Sequence, residues 1–123
     1  MLSHLSFGVE DLARSVAFYE KALAPLGFVC VWRNERGAGF GEPGGNDRLA
    51  LFNRPGKAHA PGEGFHLCFT ATDNRAVDGF HAAALAAGGS DAGAPGLRAH
   101  YSPTYYTAFV IDPDGYKLEA VHQ

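Results

Sequence analysis

Cysteine is scarce in this chain: Cys30 and Cys68 are the only two in 123 residues, and they lack C-x-x-C spacing. That excludes a disulfide framework, and each lies in an apolar run where a small buried thiol is the ordinary reading. A reducing, cytoplasmic setting is expected. Long apolar runs are also missing, since none approaches the ~18 residues of a membrane span. Met1 leads directly into a strand-like segment without the basic and apolar regions of a signal peptide. There is no excess of positive charge: Lys and Arg number 10 against 13 Asp and Glu, giving a net charge of -3 and a pI near 6.0. No basic stripe is available for nucleic acid, so neither nucleic acid nor a membrane is expected as a partner.

What remains is globular in composition, with 46% apolar and 19% charged residues. A 13.1 kDa chain of this kind fits one domain, residues 1–123, with a core that needs neither disulfides nor a structural metal.

The chain repeats itself. His4, Leu5, Phe7, Asp11, Phe18, Ala22, Leu23 and Gly27 recur as His66, Leu67, Phe69, Asp73, Phe80, Ala84, Leu85 and Gly89, each 62 positions later. Eight identities in register indicate one structural unit used twice.

The first unit, residues 1–53, opens with a strand over Leu2–Val9, in which Leu5, Phe7 and Val9 alternate with His4, Ser6 and Gly8. Asp11 is a helix N-cap, and Leu12, Val16, Tyr19, Leu23 and Leu26 follow at helical spacing until Pro25 and Gly27 end the segment. Three strands are expected at Phe28–Asn34, Gly37–Glu42 and Asp47–Asn53. Residues 54–63, with two Pro-Gly pairs and no periodicity, form the linker. The second unit, residues 64–123, repeats the order: a strand at Gly64–Ala71, Asp73 as N-cap, a helix through Val77, Phe80, Ala84 and Leu85 that Gly88 and Gly89 stop, and a short, poorly defined strand in Ser90–Gly96. A hairpin, Tyr105–Ile111 with Tyr116–His122, then turns at Asp112-Pro113-Asp114-Gly115. Both halves read βαβββ, so the fold class is α+β, two such modules forming a cupped mixed sheet around a central trough.

Strand parity makes the repeated histidines informative. If Leu5, Phe7 and Val9 face the first helix, His4 and Ser6 face the other side of the sheet, and His66, Cys68 and Thr70 do the same in the second unit. Sheets paired edge to edge would then enclose a trough with His4 and His66 projecting into it. On the last strand Glu119 lies opposite to Leu118, on that same face, and a carboxylate there needs partners. Two imidazoles and one carboxylate with open positions form the facial triad of divalent Fe and Mn, and they also suit Zn or Ni. His59, His81 and His122 are assigned no role. His100 precedes the penultimate strand in the run His100-Tyr101-Ser102-Pro103-Thr104-Tyr105-Tyr106, where it is either a loop residue with an aromatic cluster packed beneath it or a residue of the cavity mouth.

Three stretches resemble the vicinal oxygen chelate superfamily, which includes glyoxalases, bleomycin-resistance proteins and extradiol dioxygenases. They are the opening from His4 to Tyr19, the strand at Phe65–Ala71 and the ending Asp112-Pro113-Asp114-Gly115-Tyr116-Lys117-Leu118-Glu119. The resemblance implies two βαβββ modules around a divalent metal, with His4, His66 and Glu119 as its ligands and an oxyanion held on it. It also implies a homodimer. Two departures narrow it. The fourth ligand of glyoxalase I, a glutamate, falls on Ala50, and the tyrosine of the dioxygenase ending falls on Phe109, with His100 as the matching upstream histidine. Arg98 and Lys117 are too few for the cationic pocket of a fosfomycin-type transferase.

Two readings follow. In the first, the chain is a divalent-metal enzyme, a glyoxalase-like lyase or isomerase or a dioxygenase, acting on a small oxygen-bearing substrate. Tyr106 and His100 would be its catalytic residues, and Tyr105 would line the pocket with them. In the second, it is a metal-free binder of a small aromatic or drug-like molecule, of the bleomycin-resistance type.

Overall fold

The alternation at the start of the chain forms strand β1 (Leu5–Val9), and the Asp11 side chain caps helix α1 (Leu12–Leu23) by accepting the Arg14 N–H at 3.1 Å. The description rests on a computed structural model that covers all 123 residues. Leu12, Val16, Phe18, Tyr19, Ala22 and Leu23 form the buried stripe of α1, and Pro25 falls in the short 3-10 turn Ala24–Leu26 that ends it. Strands β2 (Val29–Arg33), β3 (Gly37–Gly41) and β4 (Leu49–Asn53) complete the first module. The second repeats it with β5 (Leu67–Thr70), α2 (Asn74–Ala86, capped by Asp73), β6 (Ser90–Leu97), β7 (Tyr106–Ile111) and β8 (Lys117–His122).

The α+β fold of two βαβββ modules is as expected. Each module makes its own four-stranded sheet, ordered β1-β4-β3-β2 and β5-β8-β7-β6. In each, the first strand runs parallel to the last and the other neighbours are antiparallel. No ladder joins the sheets, so β1 and β5 do not pair edge to edge. The sixth strand is longer than its composition suggests. It spans eight residues with two register shifts, and it tolerates Pro95 because it lies at the sheet edge, where a missing N–H breaks no ladder. No helix is long and apolar enough to cross a membrane.

The modules are held together through one apolar core drawn from both. α1 packs against α2, Phe7 stacks on Tyr116 with centroids 4.0 Å apart, and Phe28 meets Phe69 at 6.4 Å. Each such side chain, fully buried, is worth ~1.5–3 kcal/mol. Gly79 of α2 is part of this junction, since a Cβ there would lie 3.0 Å from the Pro25 ring. A polar latch reinforces it. The Tyr19 hydroxyl, wholly buried, donates to Asp112 Oδ2 at 2.6 Å, while Asp112 Oδ1 accepts the N–H groups of Asp114 and Tyr116. Asp114 in turn accepts from Arg14 at 3.0 Å and from Ser15 at 3.2 Å. The Asp112–Gly115 turn therefore ties the last hairpin of the second module to the first helix.

This packing decides where the candidate ligands point. The inner faces of both sheets turn toward the shared core, so the opposite faces, which carry Ser6 on β1 and Cys68 and Glu119 on β5 and β8, turn away from it.

Candidate functional site

The outer face of the second sheet gathers a compact polar group. Cys68 of β5 lies directly opposite Glu119 of β8 in the parallel ladder, and His66 sits one residue before β5 on the same face. His66 Nε2 is 2.9 Å from Glu119 Oε1, with the imidazole half-exposed and the carboxylate almost wholly buried. The other oxygen, Oε2, accepts hydrogen bonds from Tyr105 and from Thr107, both at 2.7 Å. The Thr107 hydroxyl also lies 2.8 Å from the Ala120 carbonyl, so its single proton is shared between the two acceptors.

The electrostatics follow from those contacts. Burial by itself would raise the Glu119 carboxyl, but hydrogen bonds from Thr107, Tyr105 and Cys68 and the charge of His66 outweigh it and hold the group below the usual range. Burial, with Glu119 alongside, pushes the Cys68 thiol up to about 12. Burial and the hydrogen bond to Glu119 likewise raise Tyr105. At neutral pH the carboxylate is therefore ionised, and the phenol and thiol beside it keep their protons. One carboxylate oxygen is pinned by two hydroxyls and the other shares a point in space with an accessible imidazole nitrogen. That donor pair suits a cation, and it opens on a cleft of about 420 Å³ lined by His66, Tyr101, Tyr105, Phe109, Lys117 and Glu119.

The other expected residues lie apart from this pair. His4 precedes β1, is exposed, and has Nδ1 3.1 Å from Ser3 Oγ. It lines a separate cleft of about 370 Å³ that also includes Cys68. No group of three or more His, Cys, Asp or Glu side chains is arranged to hold a metal within the chain. Tyr106 occupies the opposite face of β7, where its hydroxyl donates to Asp78 of α2 at 2.6 Å. His100 lies exposed in the loop between β6 and β7, its ring 4.2 Å from that of Tyr101 and outside the lining of the cleft.

Tyr105, expected to line the pocket, bonds Glu119 directly, and Thr107 is the neighbour that sequence reading did not single out. The signal was present in strand parity: Phe109 pairs with Glu119 in the β7–β8 ladder, so the odd-numbered residues of β7 share its face and Tyr106 cannot.

The first module shows what the second would be without its carboxylate. Ala50 stands opposite Ser6 as Glu119 stands opposite Cys68, which places Ala50 at the symmetry-related corner. The Trp32 indole lies flat over Gly39, next to Ala50 in the ladder. A Cβ at Gly39 would come within 2.0 Å of the indole nitrogen. Phe52 packs 6.1 Å from Trp32, with the Arg54 guanidinium 5.7 Å from the Phe52 ring centroid. This face is aromatic where its counterpart is ionisable.

Residues 1–120 match the model of the Glyoxalase/Bleomycin resistance protein/Dioxygenase superfamily. The chain belongs to that superfamily. Among solved structures of its members, a glyoxalase/bleomycin resistance protein from Albidiferax ferrireducens T118 is 34% identical, with a TM-score of 0.83 over 100% of this chain and 98% of that one. A glyoxalase-related enzyme from Fulvimarina pelagi shares the fold at 18% identity and a TM-score of 0.76, covering 100% and 88%. An E144Q mutant of glyoxalase I from Zea mays aligns at 25% identity and a TM-score of 0.74 over 96% of this chain, which spans 45% of that longer protein. No match was found among curated proteins.

Proposed function

We propose that the protein is a divalent-metal-dependent enzyme of the glyoxalase-like or dioxygenase-like kind, with His66 and Glu119 of one chain and His4 of a second copy as the metal ligands. The observation that carries this reading is the convergence of His66 Nε2 and Glu119 Oε1 on the outer face of the second sheet, 2.9 Å apart, with Oε2 already satisfied. Two nitrogen and oxygen donors of the right type are in place, and each chain supplies two of the three ligands in one cleft. His4 stands on the other module and lines the cleft that Cys68 borders rather than the one that holds His66 and Glu119, and no three ligating side chains of one chain are arranged to hold a metal. A homodimer that apposes the first module of one copy to the second module of another supplies the missing imidazole.

Two histidines and a glutamate with open positions fit Fe, Mn, Zn or Ni. The metal, when bound, supplies a Lewis acid that stabilises an oxyanion on a small oxygen-bearing substrate. The protein's own groups do the rest. Tyr105 and Thr107 orient the Glu119 carboxylate, as partners behind a metal ligand commonly do. The phenol of Tyr105 stays protonated beside it, and Phe109 holds the His66 ring edge-on at 5.9 Å. The apolar Ala50 corner gives the site three ligands, without the second carboxylate that a glyoxalase I proton transfer uses.

Complementation tests the shared site. Mixing His4→Ala with Glu119→Gln protein, each inactive in metal binding, generates heterodimers in which one of the two sites is intact. Recovery of tight metal binding after mixing is the expected result. Failure to recover, with each variant still dimeric, means that ligands are not shared between copies. If wild-type protein purified without chelator holds no metal and takes none up, the metal-free binding reading stands instead, supported by the His66–Glu119 pair that closes directly on itself and by the aromatic cleft beside it.

A further inference from the structure

We infer that the cleft beside Glu119 is a subsite for a planar arene bearing a carboxylate, with Lys117 receiving the anion and Tyr101 and Phe109 the ring. The inference deepens the proposed function by naming a substrate class, and it rests on that reading for the role of the neighbouring His66 and Glu119.

The first observation concerns charge. Two cations border this region, and they differ in availability. Arg98 is engaged by its own strand, donating to the carbonyls of Gly96 at 3.0 Å and Ala94 at 2.9 Å. Lys117 is exposed and takes part in none of the ion pairs of the chain, which join Arg14 to Asp114, His66 to Glu119 and His81 to Asp91. Its ammonium lies 5.0 Å from the Phe109 ring centroid, a cation–π contact that places the charge and leaves its N–H donors unused. Glu63 shares an adjoining cleft of about 360 Å³ with Lys117 and His66 but does not pair with the ammonium.

The second observation is the shape and chemistry of the walls. Tyr101, 62% exposed, meets Tyr105 edge-on at 5.0 Å, and Phe109 meets His66 in the same manner at 5.9 Å. Tyr101, Tyr105 and Phe109 thus line one cleft, and the loop that carries Tyr101 is tied down. The Arg98 N–H donates to Tyr105 O at 2.8 Å, and the N–H groups of Tyr101 and Ser102 donate to Arg98 O. An exposed tyrosine in an ordered loop, over an open cleft and near an unpaired ammonium, is a surface made for a flat ligand with one negative charge. A carboxylate on Lys117 would bring the rest of the arene toward His66 and Glu119.

Calorimetric titration of the full-length protein with 2-naphthoate and with its neutral counterpart 2-naphthalenemethanol tests this. Naphthoate is expected to bind the tighter of the two. Lys117→Gln should weaken naphthoate roughly tenfold, the order of one charge-assisted hydrogen bond, and leave the alcohol unchanged. Tyr101→Ala should weaken both, and Tyr101→Phe neither. Lys117 and Tyr101 are exposed, and an unaltered melting temperature confirms that each variant is folded; Lys117→Arg, which keeps the charge, serves as the second variant and should retain binding. Equal binding of acid and alcohol, or indifference of naphthoate to Lys117→Gln, overturns the inference. Titrating both chelator-treated and metal-loaded protein separates this from the metal reading. Lys117-dependent binding without any metal uptake leaves the subsite standing and removes the metal, and metal uptake without naphthoate binding does the reverse.

Discussion

Glu119 divides its two oxygens between two tasks: Oε1 faces His66 Nε2 at 2.9 Å, and Oε2 is fixed by hydroxyls from Tyr105 and Thr107 at 2.7 Å each. A buried carboxylate is stable only when its lone pairs are met, and here the protein meets one oxygen and directs the other at a half-exposed imidazole.

That division should be visible in metal affinity. Tyr105→Phe keeps the ring against Tyr101 and removes one donor to Oε2, and Thr107→Val removes the other. Loss of a partner behind a ligand typically costs 10–100-fold in affinity, roughly, and each variant is expected to fall in that range by competition with a chromogenic chelator. Tyr106→Phe, which breaks only the contact to Asp78, should bind metal as the wild type does. If Tyr105→Phe and Tyr106→Phe behaved alike, the assignment of Tyr105 would fail.

The depressed carboxyl of Glu119 also predicts a pH dependence of stability in chelator-treated protein. Its folded value lies below its unfolded one, so its contribution is present above the ordinary glutamate range, about 4.3, and fades as pH falls through that range and below. Melting temperatures at pH 7 and at acidic pH should therefore drop further for wild type than for Glu119→Gln. Equal drops would show that the hydrogen bonds to Glu119 do not favour its ionised form.

The latch between the modules gives a different expectation. Tyr19→Phe leaves Asp112 Oδ2 buried without its 2.6 Å donor, at a cost of about 1–3 kcal/mol, seen as a melting temperature lower by several degrees. Burial already raises the Asp112 carboxyl, and loss of the Tyr19 hydrogen bond should raise it further. A melting temperature within a degree of wild type would mean that solvent replaces the phenol.

Gly39→Ala probes the aromatic face of the first module. The added methyl cannot coexist with the Trp32 indole, so the ring must lift from the sheet at roughly 1–3 kcal/mol. Trp32 is the only tryptophan, and its emission should shift to longer wavelength as it gains solvent. An unshifted spectrum would show that the indole does not lie against Gly39.

Much of this is legible in the sequence. The 62-residue repeat, two aspartate caps and period-two strands determine a pair of βαβββ modules, because caps and alternation act through neighbours a few residues away. Parity alone placed His66 and Glu119 on one face, whereas the counterpart relationship of Ala50 to Glu119, which the 62-residue offset does not give, is fixed by the ladders that pair Ser6 with Ala50 and Cys68 with Glu119. Parity also separates Tyr105 from Tyr106, although the run of aromatic residues obscures it until the β7–β8 register is known. What only the tertiary structure decided is how the modules meet. The sequence names apolar faces but not which of them touch, and packing of α1 on α2 with the Tyr19–Asp112 latch is what joins the modules. For that reason His4 and Glu119, two members of one inferred triad, line separate clefts of the chain.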